Sequence, residues 1–220
     1  MPGWFSGRTA PVGARDCGGS RRATSLQLAM PYPDAFHALA YVAALTVMPS
    51  AQAGPPLLDL SSSEVVQTFR VINDKVMGGV SKSRLYSTDG AMVFEGEVSL
   101  QNNGGFASLR GPVRFPTESA ALLLTVRGDG QRYKLTLKLD DSTSAPQYQA
   151  AFVAPREWQT LRFTPADFAA SLRGRAVVAP IVRFVDVHYI GLLISDRQSG
   201  PFKIELKDIA LARYAAVRGQ

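Results

Sequence analysis

The chain from about residue 65 onwards is built of short runs in which apolar and polar residues alternate, the pattern of a β-strand with one buried face. Two runs show this alternation most clearly. Their apolar positions are Met92, Phe94, Val98 and Leu100 in AMVFEGEVSL and Tyr133, Leu135, Leu137 and Leu139 in QRYKLTLKL. Two further runs, AALLLTV (120–126) and IGLLIS (190–195), are apolar almost throughout. We expect these two to be strands buried on both faces.

Turn signals separate the runs. Thr88-Asp89-Gly90 and Gly128-Asp129-Gly130 contain the Asp-Gly pair that is typical of β-hairpins. Near the C-terminus the parity of the apolar positions slips between Leu206 and Ile209, which predicts a β-bulge near Lys207-Asp208. Helix signals are confined to TPADFAASL (164–172), where an N-cap threonine precedes a proline, so we predict two turns of helix there.

These elements together predict an all-β fold. About eight or nine short strands at this spacing indicate an antiparallel β-sandwich of the jelly-roll kind, with one short helix. We assign the sandwich domain to residues 65–213, preceded by a linker (54–64) and followed by a C-terminal tail (214–220).

The first 53 residues have a different composition. Residues 1–29 carry four arginines and one acid, and they precede AFHALAYVAALTVM (35–48), which has no charge. That run is too short to span a bilayer and leads to Ala51-Gln52-Ala53, a small-residue cleavage site, so we predict a signal peptide and an exported, periplasmic or extracellular protein. An arginine-rich mitochondrial presequence, a start at Met30 and a buried N-terminal helix remain as alternatives.

Charge and cysteine content narrow the function classes. Cleavage after Ala53 leaves 20 basic and 16 acidic residues, and the basic ones are scattered instead of clustered, so no nucleic-acid partner is expected. The single cysteine, Cys17, lies in the leader. The mature chain therefore has no disulfide and no cysteine metal site, and we expect no membrane span in it.

Two stretches share an unusual composition. INDKVMGGVSKSRL (72–85) and LQNNGGFASLRG (100–111) each place Asn or Asp close to a glycine pair at the edge of a strand. Such residues suit sharp turns, but amides beside an aromatic residue also suit a binding surface, and both interpretations remain open. The candidate binding residues are Asn73, Asp74, Met77, Gly78, Gly79, Asn102, Asn103, Gly104, Gly105 and Phe106.

The connectivity predicts that these two loops lie side by side. The strands between them are joined by the Asp89-Gly90 hairpin, so both return towards the same end of the sandwich. The glycines carry no side chain, so the neighbouring side chains would project beyond the backbone of the loops. We therefore expect the side chains of Asp74, Met77, Asn102, Asn103 and Phe106 to face a partner.

Catalysis finds little support in the residues. His188 is the lone histidine after the leader, and we expect it to be a structural histidine satisfied by hydrogen bonds. Asp186 shares its face, but a metal site would need a third ligand. Trp158 is expected to anchor the core, with a platform for a ligand as the alternative. We therefore predict a protein that is not an enzyme and that uses no cofactor or metal.

Several motifs in order along the chain resemble the complex I intermediate-associated protein family. They are INDKVMGGVS (72–81), FEGEVSLQNNGGFASLRG (94–111), VRGDGQRYKLTL (126–137), Trp158 with FTPADF (163–168), and YIGLLISDRQSGPFKIELKDI (189–209). The resemblance implies a galactose-binding-like β-sandwich and a chaperone-like assembly factor for the respiratory NADH:ubiquinone oxidoreductase. Its partner would be an oxidoreductase subunit or an assembly intermediate. The alternative is an exported module that binds a glycan or another small ligand.

The leader generates the first testable prediction. We expect the mature protein to begin at Gly54 and to be recovered outside the cytoplasm, because Ala51-Gln52-Ala53 has the small residues of a cleavage site. Intact-mass measurement of the native protein tests this. A full-length chain in the soluble cytoplasmic fraction would contradict it.

Overall fold

Two antiparallel sheets face each other in the computed structural model, which describes residues 56–88 and 90–212. The leader (1–53), Asp89 and the tail (214–220) lie outside the described residues. The described residues form one α-helix, α1 (Ser63–Gln67), four short 3₁₀ turns and thirteen strands. The strands are β1 (Leu58–Asp59), β2 (Arg70–Asn73), β3 (Lys82–Thr88), β4 (Ala91–Val98), β5 (Ala107–Pro112), β6 (Ala121–Gly128), β7 (Arg132–Lys138), β8 (Gln147–Val153), β9 (Gln159–Phe163), β10 (Ala169–Leu172), β11 (Arg175–Ala176), β12 (Tyr189–Ile194) and β13 (Gly200–Ala212).

The strand order shows how the chain passes between the sheets. The six-stranded sheet has the order β3-β4-β13-β6-β9, and β1 pairs with β13 beyond the end of the β4 pairing. The seven-stranded sheet has the order β11-β10-β8-β7-β12-β5-β2. The chain crosses from one sheet to the other after β1, β2, β4, β5, β6, β8, β9 and β12. This arrangement is a jelly-roll β-sandwich, so the predicted fold class is confirmed.

The core lies between the two sheets and is made largely of the faces that the alternation predicts. Met92 and Phe94 of β4 are fully buried, as are Tyr133 and Leu137 of β7. Leu100 departs from the pattern, because β4 ends before it and its side chain is 37% exposed.

Strand β6 is buried on both faces, as its apolar run predicts. Leu122, Leu124 and Val126 belong to the main core. Ala121 and Leu123 point the other way and form a second cluster. Their partners in that cluster are Ala210 and Ala212 of β13. The predicted bulge in β13 is confirmed, since its register with β6 shifts between Leu206 and Asp208.

The prediction of two turns of helix at residues 164–172 is wrong. Of residues 164–172 only Pro165–Asp167 form a single 3₁₀ turn, and Ala169–Leu172 are strand β10, paired with β8. The cap is as expected, because the Asp167 carboxylate accepts hydrogen bonds from the backbone N–H (2.6 Å) and hydroxyl (2.7 Å) of Thr164. The one short α-helix is α1, and the buried side chain of Leu60 shows that the sandwich includes residues before 65.

The second Asp-Gly signal does not form a hairpin. Strands β6 and β7 on either side of Asp129-Gly130 belong to different sheets, so this turn carries the chain around a corner of the sandwich. The Asp129 carboxylate fixes the corner by accepting hydrogen bonds from the Tyr133 hydroxyl (2.9 Å) and the Lys203 N–H (2.8 Å).

The core assignment gives a direct stability prediction. Leu137→Ala should lower the free energy of unfolding by about 2–5 kcal/mol, because it removes a fully buried leucine side chain from the core. Val153→Ala is the matched control, since Val153 is 60% exposed and should change stability by less than about 0.5 kcal/mol. Urea unfolding measures both. A loss below about 1 kcal/mol for Leu137→Ala would mean that its face is assigned wrongly.

Candidate functional site

The two Asn/Asp-and-glycine loops meet at one end of the sandwich, as the connectivity predicts. Residues 73–81 cross from β2 to β3 and residues 99–106 cross from β4 to β5, so both connect the seven-stranded and six-stranded sheets. The Asn102 side-chain amide donates to the Gly78 carbonyl (3.2 Å), and the Gly105 N–H donates to the Asp74 carboxylate (2.7 Å). We term this pair of segments the loop junction.

The Asp74 carboxylate is the centre of the loop junction. It is fully buried. One oxygen accepts a hydrogen bond from the Ser81 N–H (3.0 Å); the other accepts from the Ser81 hydroxyl (2.5 Å) and from the N–H groups of Gly105 (2.7 Å) and Phe106 (3.4 Å). Burial alone raises the pKa of this carboxyl, but the hydrogen bonds outweigh it and hold the pKa below its usual value of 3.8.

The glycine pairs are explained by this buried carboxylate. A β-carbon at Gly79 would lie 2.3 Å from the Asp74 Cγ, and one at Gly104 would lie 2.5 Å from its Oδ2. The other member of each pair has a positive φ, +86° at Gly78 and +133° at Gly105. Each pair thus combines one close approach to Asp74 with one left-handed backbone conformation.

Burial of Asp74 corrects one expectation. Its side chain does not face outwards, and Gly79 is buried beside it. Asn73 accepts a hydrogen bond from the Ser83 hydroxyl (2.5 Å). The side chain of Met77 lies outside the described residues.

The exposed part of the loop junction is small and mixed in character. Asn102 and Asn103 are exposed and both adopt positive φ, 55° and 60°. Two apolar side chains lie in the same segments, Val80 at 39% and Leu100 at 37% exposure. Phe106 is only half-buried and lines a groove on the neighbouring sheet face.

That groove has a volume of about 810 Å³ and lies on the outer face of the seven-stranded sheet; we term it the outer groove. Strands β2, β5, β7, β8 and β12 and the turn between β10 and β11 line it. Gly191 of β12 stands in the middle of this face, in register with Arg110 on one side and Thr136 on the other. A β-carbon there would lie 2.1 Å from the Leu109 carbonyl oxygen, so the centre of the face carries no side chain.

Charged groups mark two sides of the outer groove. On β7, Lys134 pairs with Asp196 at 2.6 Å. On β5, Arg110 pairs with Asp141 at 3.1 Å and lies 5.6 Å from the centre of the Tyr189 ring.

Lys138 lies further along β7 and is almost buried, with its ammonium donating to the Ser142 carbonyl (2.6 Å). Burial, followed by the positive charge of Arg110, lowers the pKa of Lys138.

A second depression, of about 740 Å³, lies on the outer face of the six-stranded sheet between β3, β4 and β13. Its charges balance, because three cationic side chains (Lys82, Arg84 and Lys203) and three carboxylates (Glu95, Glu97 and Asp129) line it. Arg84 pairs with Glu95, and Lys203 pairs with Glu205 at 3.4 Å. This face is therefore a weaker candidate for binding a charged ligand.

The family model of complex I intermediate-associated protein 30 matches residues 58–206. The chain belongs to this family. The match runs from β1 into β13, so the loop junction and the outer groove both lie within the family domain. Comparison with curated protein sequences gives no significant match.

Solved structures share the fold of this family member at low sequence identity. The family 11 carbohydrate-binding module of the cellulosomal cellulase Lic26A-Cel5E of Clostridium thermocellum has a TM-score of 0.54 and 11% identity, over 76% of this chain and 99% of that chain. A family 11 module from Clostridium thermocellum in complex with a β-1,3-1,4-mixed-linked tetrasaccharide has a TM-score of 0.51 and 13% identity, over 72% and 95%. The agarase AgWH50C has a TM-score of 0.50 and 12% identity, over 76% of this chain and 25% of that chain. The likeness is one of fold, and it agrees with the galactose-binding-like β-sandwich.

Neither of the side chains considered for catalysis, His188 and Asp186, lines the outer groove or belongs to the loop junction. His188 is exposed, while its backbone pairs with Lys138 and Val113 (both 2.9 Å). The carboxylate of Asp186 lies 3.8 Å from the guanidinium of Arg183. Within residues 56–88 and 90–212, no group of three His, Cys, Asp or Glu side chains is arranged to hold a metal ion. In the same part of the family domain, no helix has the length and apolar character that a membrane crossing requires.

Trp158 is not a core anchor, contrary to expectation. Its side chain is 38% exposed, and the guanidinium of Arg127 lies 4.9 Å from the ring centre. It stands just before β9, an edge strand of the six-stranded sheet, away from the strands that line the outer groove.

Sequence reasoning missed the outer groove apart from Phe106. Two signals pointed to it. The outward residues of RYKLTLK, including Lys134 and Thr136, looked like an ordinary solvated face, and Gly191 interrupts an otherwise apolar run. A glycine at the centre of a buried strand is the sequence mark of a close backbone approach, which here leaves space on the sheet surface.

The buried carboxylate generates a stability prediction with a pH dependence. Asp74→Asn should lower the free energy of unfolding at pH 7 by about 1.5–3 kcal/mol, because an amide cannot accept all four hydrogen bonds as a charged group. Since folding lowers the pKa of Asp74, its contribution is complete above pH 3.8 and is lost as the pH falls through the lower folded value.

Chemical denaturation of the parent and Asp74→Asn between pH 7 and pH 2 measures this difference. The control is Asp186→Asn, because the Asp186 side chain is half exposed and should change stability by less than about 0.5 kcal/mol. Equal stability of Asp74→Asn and the parent at pH 7 would refute the central role of this carboxylate.

Proposed function

We propose that this protein is a non-catalytic, chaperone-like binding protein that associates with an assembly intermediate of respiratory complex I. The observation that carries the proposal is the family match over residues 58–206, since the family is named for association with complex I intermediates. Its partner would be a protein subunit of the NADH:ubiquinone oxidoreductase or a partly assembled form of it.

The loop junction is the surface that we assign to this partner. It presents two apolar side chains, Val80 and Leu100, beside the exposed amides of Asn102 and Asn103. A mixture of apolar contact area and adaptable hydrogen-bonding groups is typical of protein interfaces. The Asp74 carboxylate holds the backbone beneath them, so little ordering would be needed when the partner binds.

The chemistry of the loop junction favours binding over catalysis. Asp74 uses both of its oxygens in four hydrogen bonds, and its lowered pKa keeps it charged at neutral pH. A group that must stay charged and fully bonded to hold the fold is unsuited to take up and release protons in a reaction. Its part in this proposal is to position the loops.

The site of action follows from the leader. An exported chain would meet its partner on the outer side of the cytoplasmic membrane, and a mitochondrial presequence would place the encounter inside the organelle. The N-terminal mass measurement described above separates these two arrangements.

Affinity capture from detergent-solubilised native cell extract tests the proposal. We expect the parent protein to enrich subunits of the NADH:ubiquinone oxidoreductase, quantified by mass spectrometry. The double variant Val80→Thr/Asn103→Gly should recover roughly tenfold less, because it removes an apolar contact and an amide. Glycine at position 103 accommodates the positive φ, so the backbone should be retained.

The matched control is Val153→Thr, which makes the same change at an exposed valine in β8, outside the loop junction. It should capture as much as the parent, and all three proteins should unfold at similar temperatures. Parent protein that enriches no oxidoreductase subunit would overturn the proposed partner. Undiminished capture by the double variant would overturn the assignment of the loop junction.

A further inference from the structure

The outer groove has an excess of positive charge that its own residues do not balance. Three cationic side chains line it, those of Arg110, Lys134 and Arg173, against one carboxylate, that of Asp196. Arg173 makes no ion pair with any residue that the structure describes. A ligand that carries negative charge therefore complements this surface better than a neutral one.

The cationic groups are spread across the strands. Arg110 is on β5, Lys134 on β7 and Arg173 at the turn that follows β10. In the strand order β5-β12-β7-β8-β10, two strand spacings separate the strand of Arg110 from that of Lys134, and two more separate the strand of Lys134 from that of Arg173. At about 4.8 Å per spacing, Arg110 and Lys134 lie about 10 Å apart across the sheet, whereas Arg173 is also displaced from Lys134 by about six residue positions, or about 20 Å, along the strands.

The ion pairs already present in and beside the groove are exposed enough to be exchanged. The carboxylate of Asp196 is 40% exposed in its pair with Lys134, and that of Asp141 is 60% exposed in its pair with Arg110. Pairs of this kind contribute little net stability, because water solvates the separated charges well. A carboxylate from a ligand can therefore replace either partner at small cost.

One end of the outer groove is apolar. Ile72, Ser108 and Leu193 stand in one row across β2, β5 and β12, and Phe106 lies two residues before Ser108, directly ahead of β5. The opposite side has the amides of Gln147 and Gln149 on β8, next to Thr136. The groove thus offers apolar side chains at one end and hydrogen-bonding groups and positive charge over the rest.

We propose that the outer groove binds an extended acidic peptide segment of a partner protein. An apolar side chain of the peptide packs against Phe106 and Leu193, and carboxylates about six residues apart point to Lys134 and Arg173. The spacing fits because six residues of an extended chain rise about 20 Å, and an even separation places both side chains on the same face of the peptide. The glutamine amides bond to the peptide backbone.

A peptide suits this groove better than a glycan. Sugar rings pack on flat, accessible aromatic faces, but the aromatic side chain that lines the groove is Phe106 at its apolar end, and Arg110 already lies over the Tyr189 ring. Branched side chains such as Ile72 and Leu193 form pockets for other side chains. The inference goes beyond the proposed function, and it does not depend on the partner being part of complex I.

Fluorescence anisotropy with labelled synthetic peptides tests the inference on the purified protein. The probe is a ten-residue serine-based peptide with a leucine followed by aspartates two and eight positions later, so that all three side chains share one face, and its control has asparagine at both aspartate positions. We expect the acidic peptide to bind at least about tenfold more tightly than the control. The difference should shrink as salt is raised from about 0.05 to 0.5 M.

Variants locate the site. Lys134→Gln and Arg173→Asn should each weaken binding of the acidic peptide by about five- to tenfold, and asparagine suits the positive φ of 50° at position 173. Arg162→Gln, on β9 of the other sheet, should leave the affinity unchanged.

Equal affinity for the two peptides would overturn the inference, as would equal binding by Lys134→Gln and the parent. Binding of a mixed-linked glucan in place of the peptide, lost in the same variants, would also overturn it, because the groove would then be a glycan site. None of these outcomes bears on the capture of oxidoreductase subunits at the loop junction.

Discussion

The Asp74 carboxylate ties together two connections that would otherwise be independent. One leads from β2 to β3, which are edge strands of the two sheets, and the other leads from β4 to β5, the strands next to those edges. Four hydrogen bonds to one side chain set the distance between these connections. Because each connection joins the two sheets, the same bonds help to fix the distance between the sheets at this end of the sandwich. The position of Phe106 at the entrance of the outer groove depends on the same bonds, because its own N–H is one of the donors.

A buried charge is costly, and the local structure shows how the cost is offset. Water is replaced by three backbone N–H groups and one hydroxyl, all directed at the two oxygens. Donors can gather so closely only because Gly79 and Gly104 have no β-carbon. The aspartate and the glycine pairs that make the two loops conspicuous in the sequence are therefore needed because protein groups, and not water, must solvate the buried carboxylate. The exposed amides beside them are free of that requirement and available to a partner.

Local patterns predicted those features that local forces decide. Alternation identified the buried faces of β4 and β7, and the slipped parity identified the bulge in β13. The features it missed depend on distant residues. Ala169–Leu172 have helix-compatible residues but pair with β8, and the Asp129-Gly130 turn could not reveal that its two strands belong to different sheets. Asp74 looked like an exposed turn residue, because its hydrogen-bond donors lie as far as 32 positions along the chain.

The order of events during folding is constrained by this long reach. The Asp74 carboxylate meets the Gly105 amide across a separation of 31 residues, and the whole β3–β4 pair lies within that loop. If β3 pairs with β4 first, the flexible loop between Asp74 and Gly105 is reduced to two short segments, one before β3 and one after β4. Both segments leave the hairpin at the same end, so less chain entropy is lost when they meet. We therefore expect the anion to be enclosed after β3 and β4 have paired, so that the cost of removing its water falls on the closure of the two connections and not on the formation of the hairpin.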